Sequence, residues 1–424
     1  MSNDLQHSSS SFDCGMRRLL SALMLIGLLT VAGNPAQAQT YSILHTFTGG
    51  SDGGNPYAGL TVDRPGNLYG TTSYGGQGFG TVFELSLRGA GWNFHSIYKF
   101  TGGADGAGPL SRVILGPNGT LYGTTYAGGN ASCDGGQGCG TVFNLKPRPV
   151  ACPTTFCTWL KTVLYRFNGG NDAANPLLGD LVFDHAGNIY GTTENGGGVA
   201  CSGSGCGTVF ELSAVAGGWR ESVLYAFSGS DGANPYAGVV FDRAGNLYGT
   251  TKLGGPAANG TVFRLSSNGS GWIEGVVYGF AGQNDGYWPV GGLIFDPSGN
   301  LYGTTISGGA NGGGIAFAIT PTGSESAVFS FVGGPSGGVY GSLTTDAAGN
   351  LYGITYDDGA FGNGAVFKLS PSPNGWIYTD LHDFTGADGR CPYGNVVLDA
   401  SGNLYGTTEA GGQYDYGVVW KITP

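Results

Sequence analysis

Six aspartates stand at matching places in this chain, each inside a glycine-rich run that ends in proline. The runs are GGSDGGNP, GGADGAGP, GGNDAANP, SGSDGANP, GQNDGYWP and TGADGRCP, and they carry Asp52, Asp105, Asp172, Asp231, Asp285 and Asp388. A seventh run, GGPSGGVY, lacks the acid. Carboxylate oxygens are what hard divalent cations take, so a ring of such loops suits calcium. One carboxylate per unit is sparse for a calcium cage without backbone carbonyls. Asp-Gly runs are also ordinary turn chemistry, the side chain bonding backbone amides ahead of it, and this is the preferred reading.

Departures from the pattern say more about a site. Aligned on a strand-ending aspartate, one glycine position reads Gly59, Arg112, Asp180, Gly238, Gly292, Ser342 and Asn395. Arg112 and Asp180 therefore fall side by side in neighbouring units. Trp288, after Tyr287, replaces a small residue in one aspartate loop, and Arg390 does so in another. A polar patch with an exposed aromatic is how a sugar or peptide is held. The competing reading is an Arg–Asp pair that fills the space glycine leaves elsewhere. The candidate ligand-binding residues are thus Arg112, Asp180, Trp288, Asp172, Asp285 and Arg390, with Asp52, Asp105, Asp231 and Asp388 as weaker cation candidates.

Nucleophilic and metal chemistry have little support. No GxSxG, HExxH or EF-hand loop is present. His45 and His382 stand where other units have Tyr, His95 is on another outer strand and His185 is in a turn. Glu84 and Glu211 hold equivalent places and read as part of the repeat.

The elements that must position these residues come from one phrase. GNLYGTT stands at 66–72, 245–251, 299–305 and 402–408, with near-copies at 119–125, 187–193 and 349–355. Successive copies lie 50 to 68 residues apart, the period of a repeated supersecondary unit. Each unit holds four short runs rich in Val, Phe, Tyr and Thr, bounded by Gly, Asn or Pro. In the fourth unit they cover 237–242, 246–251, 261–265 and 272–280. Asp242-Arg-Ala-Gly-Asn246 is a hairpin turn, and Asp63, Asp184, Asp296, Asp346 and Asp399 repeat its aspartate in a structural role. Four strands in each of seven units is an all-β, seven-bladed β-propeller.

The chain ends strengthen this. In five units a Trp precedes the closing Phe of the fourth strand by eight residues, as in Trp92/Phe100 and Trp272/Phe280. The segment 41–47 matches that fourth strand, whereas 418–422 matches a third strand and stops. The N-terminal strand is therefore expected to complete the last blade (392–424), removing two sheet edges. The connections from fourth to first strand and from second to third strand then share one face, around the mouth of the central channel.

Arg17 and Arg18 precede an apolar run, 19–32, and Ala36-Gln37-Ala38 fits the small-residue cleavage rule. A signal peptide over 1–38 is expected, with the domain over 39–424 and translation starting at Met1 or Met16. This places the protein in the periplasm or outside the cell. The pairs Cys133–Cys139, Cys152–Cys157 and Cys201–Cys206 read as local disulfides of an exported chain, which leaves Cys391 over. The net charge is −11, which argues against nucleic acid or an anionic membrane as partner. With 85 Gly in 424 residues at fixed offsets, glycine marks turns here and not low complexity.

The ordered motifs GNLYGTT, GTVFEL, a Trp-led VLYAF and a DGANP loop resemble the GloVer tandem repeat family of exported bacterial proteins, over nearly all of the chain from Tyr41. The resemblance implies a secreted repeat protein of unestablished role and brings no catalytic residues. The reading that follows is a monomeric, non-enzymatic propeller that binds an unknown ligand or protein, carbohydrate among the candidates, through its loop face. The alternatives are an enzyme acting on polysaccharide or a small molecule with Asp172, Asp180, Arg112 and Asp285 at the mouth, and a purely structural surface protein. No cofactor beyond calcium is suggested.

Overall fold

The computed structural model describes residues 39–89, 91–147, 159–333 and 338–424. Seven four-stranded antiparallel sheets are arranged as the blades of a propeller, joined by a short ribbon of Ala173–Ala174 with Asn195–Gly196. Blade four shows the plan: Val240–Phe241, Leu247–Thr251, Thr261–Ser267 and Trp272–Gly279, paired in that order. The innermost strand is only two residues long, shorter than its sequence run suggests. Crowding at the axis is the reason. A Cβ on Gly238 would lie 2.1 Å from the carbonyl oxygen of Asp180, so the chain passes its neighbour as extended backbone before pairing begins.

Each letter of the repeated phrase has a job. The turn aspartate Asp242 accepts from the amides of Ala244 (2.8 Å) and Asn246 (2.9 Å) through Oδ1, and from Asn246 Nδ2 (2.7 Å) through Oδ2. In the last blade Asp399 also takes the Tyr405 hydroxyl at 2.9 Å. The Gly of Tyr-Gly lies beneath the third-strand phenylalanine: a Cβ on Gly249 would sit 2.6 Å from Phe263 Cζ. The first Thr of Gly-Thr-Thr reaches the next blade, as Thr250 Oγ1 does to Gly291 O at 3.2 Å and Thr192 Oγ1 to Ala237 O at 2.7 Å. The second ties its own blade, Thr251 to Thr261 at 2.8 Å.

The core lies between blades. The closing Phe of each fourth strand packs on the third-strand aromatic of the next blade. Phe100 meets Phe143 with ring centres 5.2 Å apart, and Phe227 meets Phe263 at 5.0 Å, both edge to face. The circle closes through Phe384 on Trp420 (6.0 Å) and Phe47 on Phe83 (5.3 Å). These rings are almost completely buried, and edge-to-face pairs add roughly 0.5–1.5 kcal/mol each beyond burial alone.

Thr40–Thr46 pairs antiparallel with Val418–Thr423, Thr40 opposite Thr423 and Thr46 opposite Val418, so the N-terminal strand completes the last blade. Two of the expected disulfides are formed, Cys133–Cys139 and Cys201–Cys206, each stapling the loop between second and third strands of its blade. Cys152 and Cys157 lie outside the described residues, as does the expected signal segment 1–38. Cys391 corrects an expectation. It is disulfide-bonded and fully buried, not a leftover thiol, with its partner outside the described residues. Among the described residues no helix is long and apolar enough to cross a membrane.

Candidate functional site

The seven innermost strands leave a channel of about 40 Å³, lined from every blade. That is room for about one water molecule and not for a sugar ring. Arg112 and Asp180 meet inside it, Nε to Oδ2 at 2.9 Å and an Nη to the same oxygen at 2.6 Å. They face Gly59, Ser342 and Asn395 and occupy space that glycine leaves open in other blades. The Arg112–Asp180 ion pair thus plugs the channel and leaves no room in it for a sugar.

Above the plug, the residue after the inner proline is Tyr57, Tyr236, Val290 or Tyr393 in four of the blades, and Tyr340, after Val339, holds the same place in blade six. The rings touch around the mouth: Tyr57 to Tyr393 at 5.5 Å, Tyr340 to Tyr393 at 4.6 Å and Tyr340 to Tyr356 at 5.0 Å. Trp288 joins this cluster half-buried, against Val290, Ile306, Tyr340, Tyr356 and Cys391. Its φ is +61°, a left-handed conformation that the equivalent residues Asn55, Asn175 and Asn234 also take. Asn tolerates that region, whereas Trp pays roughly 1 kcal/mol or more for it. The cost puts an indole beside the mouth.

A second circle follows the phrase Gly-Thr-Thr, or Gly-Ile-Thr in blade six: Ser73, Tyr126, Glu194, Lys252, Ile306, Tyr356 and Glu409. Here the repeat abandons its own pattern, and sequence reading had passed this position over. The signal was available, because the residue after an almost invariant phrase takes five different types in seven blades. Glu194 accepts from the hydroxyls of Tyr126 (3.4 Å) and Tyr236. Lys252 Nζ donates to Tyr236 at 3.1 Å and lies 4.4 Å above its ring. Burial pushes the Glu194 carboxyl up and the Lys252 ammonium down. Across the mouth, Glu409 takes the Tyr57 hydroxyl, and burial raises it to about 6, with that bond and Arg390 acting against the rise. Arg390 itself forks onto Asp415, at 3.1 and 2.9 Å. The mouth is therefore ringed by tyrosines and Trp288, with Glu194 and Lys252 on blades three and four and Glu409 on blade seven.

The six loop aspartates are elsewhere. Each accepts from a backbone amide three or four residues earlier and from an outer-strand Tyr or His. Asp172 takes Asn168 N at 2.8 Å and Tyr165 OH at 3.0 Å, and Asp285 takes Ala281 N at 2.8 Å and Tyr278 OH at 2.9 Å. Asp105 and Asp231 are held likewise by Tyr98 and Tyr225, and Asp52 and Asp388 by His45 and His382. The ring expected at the mouth lies out against the outermost strands, so Asp172 and Asp285 do not converge with Arg112 and Asp180. Among the described residues no three His, Cys, Asp or Glu side chains are grouped to hold a metal ion.

These aspartates mark the seams between blades. Two residues after Trp159, Trp219 and Trp272, and after Gly323 in the equivalent place, the next blade presents Lys161 to Asp105 at 2.8 Å, but Glu221 to Asp172, Glu274 to Asp231 and Glu325 to Asp285. Oε1 of all three glutamates is buried with no hydrogen-bond partner. Burial, then the facing aspartate, raises Glu221 to about 8 and the other two to about 7.

The family model of the Gloeobacter/Verrucomicrobia repeat matches residues 34–213, 198–378 and 347–424. The chain belongs to the Gloeobacter/Verrucomicrobia repeat family. No curated protein matches this Gloeobacter/Verrucomicrobia repeat protein. Among solved structures it is similar in fold to a polysaccharide lyase, an ulvan lyase bound to -[GlcA(1-4)Rha3S]-, at TM-score 0.52 and 10% identity over 87% of this chain and 92% of the other. Weaker likenesses are the periplasmic gluconolactonase of Pseudomonas aeruginosa (TM-score 0.49, 14% identity, 86% and 95% covered) and the soluble aldose sugar dehydrogenase of Escherichia coli (0.43, 14%, 91% and 100%).

Proposed function

We propose that this Gloeobacter/Verrucomicrobia repeat protein is a binding module that holds an uncharged saccharide at the channel mouth without transforming it. The observation that carries this reading is the circle of partly buried Tyr57, Tyr236, Trp288 and Tyr393 set beside Glu194, Lys252 and Glu409. Aromatic faces take the C–H face of a pyranose, while carboxylates and an ammonium exchange hydrogen bonds with its hydroxyls. The plugged channel keeps the ligand on the face. The formed disulfides support an oxidising compartment, hence export.

Titration calorimetry with short neutral saccharides tests this. Tyr57→Ala and Glu409→Gln should each weaken binding at least tenfold while both variants remain folded. A wild type that binds none of them, or variants that bind as well as wild type, would refute it. One observation favours catalysis instead. Glu409, held at about 6 beside Tyr57, suits a general acid or base. Release of reducing ends from a bound glycan, abolished by Glu409→Gln, would establish that second reading.

A further inference from the structure

We propose that the natural ligand is a linear, uncharged polysaccharide that runs along the seam between the last and first blades, from the rim to the channel mouth. The inference rests on the saccharide-binding reading above and extends it to a polymer and a path.

Among the described residues, the aromatic side chains that are largely exposed are Tyr74 (48%), Phe361 (61%) and Tyr414 (49%). All three lie in loops between second and third strands, on the face that carries the mouth. Among the described residues, the hairpin turns on the opposite face present none. Tyr74 belongs to the first blade and stacks on Tyr416 of the last, ring centres 6.0 Å apart and planes within 6°. Tyr414 stands two residues before that partner.

This rim pair is joined to the mouth by continuous backbone. Asn55 N donates to Tyr416 O at 2.9 Å, Ser73 N to Asn55 O at 3.1 Å, and Gly54 N to Tyr74 O at 2.9 Å. Two residues beyond Asn55 is Tyr57, whose ring meets Tyr393 and whose hydroxyl meets Glu409. Aromatic platforms therefore recur from rim to mouth along one seam. A chain of repeating pyranoses uses several platforms at once, whereas a single sugar uses one.

The chemistry of the path selects the polymer. Its platforms are tyrosines separated by Gly75, Gly76, Gln77 and Gly78 on one side and Gly411, Gly412 and Gln413 on the other, not one contiguous apolar patch of the kind that proteins bury against each other. Glu409 and Asp415 flank it, and Arg390 is already paired with Asp415. With a net charge of −11 in the whole chain, uronate and sulfated polymers are repelled.

The test compares cello- and chito-oligosaccharide dimers and hexamers by calorimetry, with alginate hexamer as the anionic control. The hexamer of at least one neutral series should bind at least tenfold tighter than its dimer. The double variant Tyr74→Ala/Tyr414→Ala should lose that gain and keep the dimer affinity, and Tyr74→Phe should retain the gain. Dimer and hexamer of equal affinity, an unaffected double variant, or preference for alginate would overturn the polymer path while leaving the mouth reading standing. Absence of binding by every sugar would fell the mouth reading and this one with it.

Discussion

Replacing Glu221 with Gln should stabilise the protein, and only at high pH. Glu221 faces Asp172 across the seam between blades two and three, with Tyr165 bonded to the same aspartate. Its carboxyl rises from 4.5 to about 8, through burial first and the Asp172 charge second. A folded-state value above the unfolded one means that folding favours the protonated acid. The stabilisation is complete below about pH 4.5 and is lost as pH rises through about 8. At roughly 1.4 kcal/mol per pH unit the full swing approaches 5 kcal/mol. The pair keeps contact with water, and screening reduces this to roughly 1–2 kcal/mol. Gln mimics the protonated acid and donates to Asp172 at any pH. A chain of roughly 385 folded residues has an unfolding entropy near 0.8 kcal/mol per kelvin, so each kcal/mol moves Tm by about 1 °C. The single variant should gain about 1–2 °C at pH 8.5 and nothing at pH 4.5. The triple variant with Glu274→Gln and Glu325→Gln should gain about 3–5 °C, because these two titrate near 7 in the same geometry. Thermal unfolding followed at pH 4.5, 6, 7 and 8.5 reads the effect. A wild type whose Tm does not fall across that range, or a variant that gains equally at pH 4.5, would refute the shared-proton seam.

Two further outcomes follow from the fold. Gly249→Ala places a methyl 2.6 Å from Phe263 Cζ, and the resulting overpacking should cost about 1–3 kcal/mol, measured by denaturant unfolding, whereas Ala at exposed Gly245 of the turn should cost less than half of that through its φ of +84°. Serine in place of Cys133 and Cys139 should lower stability by about 2 kcal/mol by freeing the short loop they close, and reductant should destabilise the wild type but leave this contribution absent from the variant.

The fold was legible because one phrase carries it. Asp242, Asn246, Gly249 and Thr250 each answer to a contact that recurs in other blades, so period and composition sufficed. The site was less legible, because ligand residues by nature break the repeat. Arg112 and Asp180 were found as departures and do meet, but they plug the channel. Glu194, Lys252 and Glu409 were missed, although they stand directly after the most constant phrase, because a charged residue at a strand end reads as a solvated loop residue until the fold brings Tyr126, Tyr236 and Tyr57 over it. The aspartate loops misled in the opposite direction. Their place in the topology suggested a mouth, and it is the bond from each to an outer-strand Tyr or His six or seven residues earlier that shows them bracing the rim.

The pairing of Thr40 with Thr423 has a consequence for the order of folding. The first six blades are assembled from strands that follow one another along the chain, and each can form as soon as its own residues are free. The seventh must wait for both ends. Bringing together segments nearly the whole chain apart carries a loop-closure cost of roughly 5 kcal/mol if the intervening chain is still open, and far less once the six blades have curved into an arc. Closure should therefore be the last and slowest event. Transferring the opening strand to follow Thr423, so that every blade becomes contiguous, would remove that wait while leaving the finished ring unchanged.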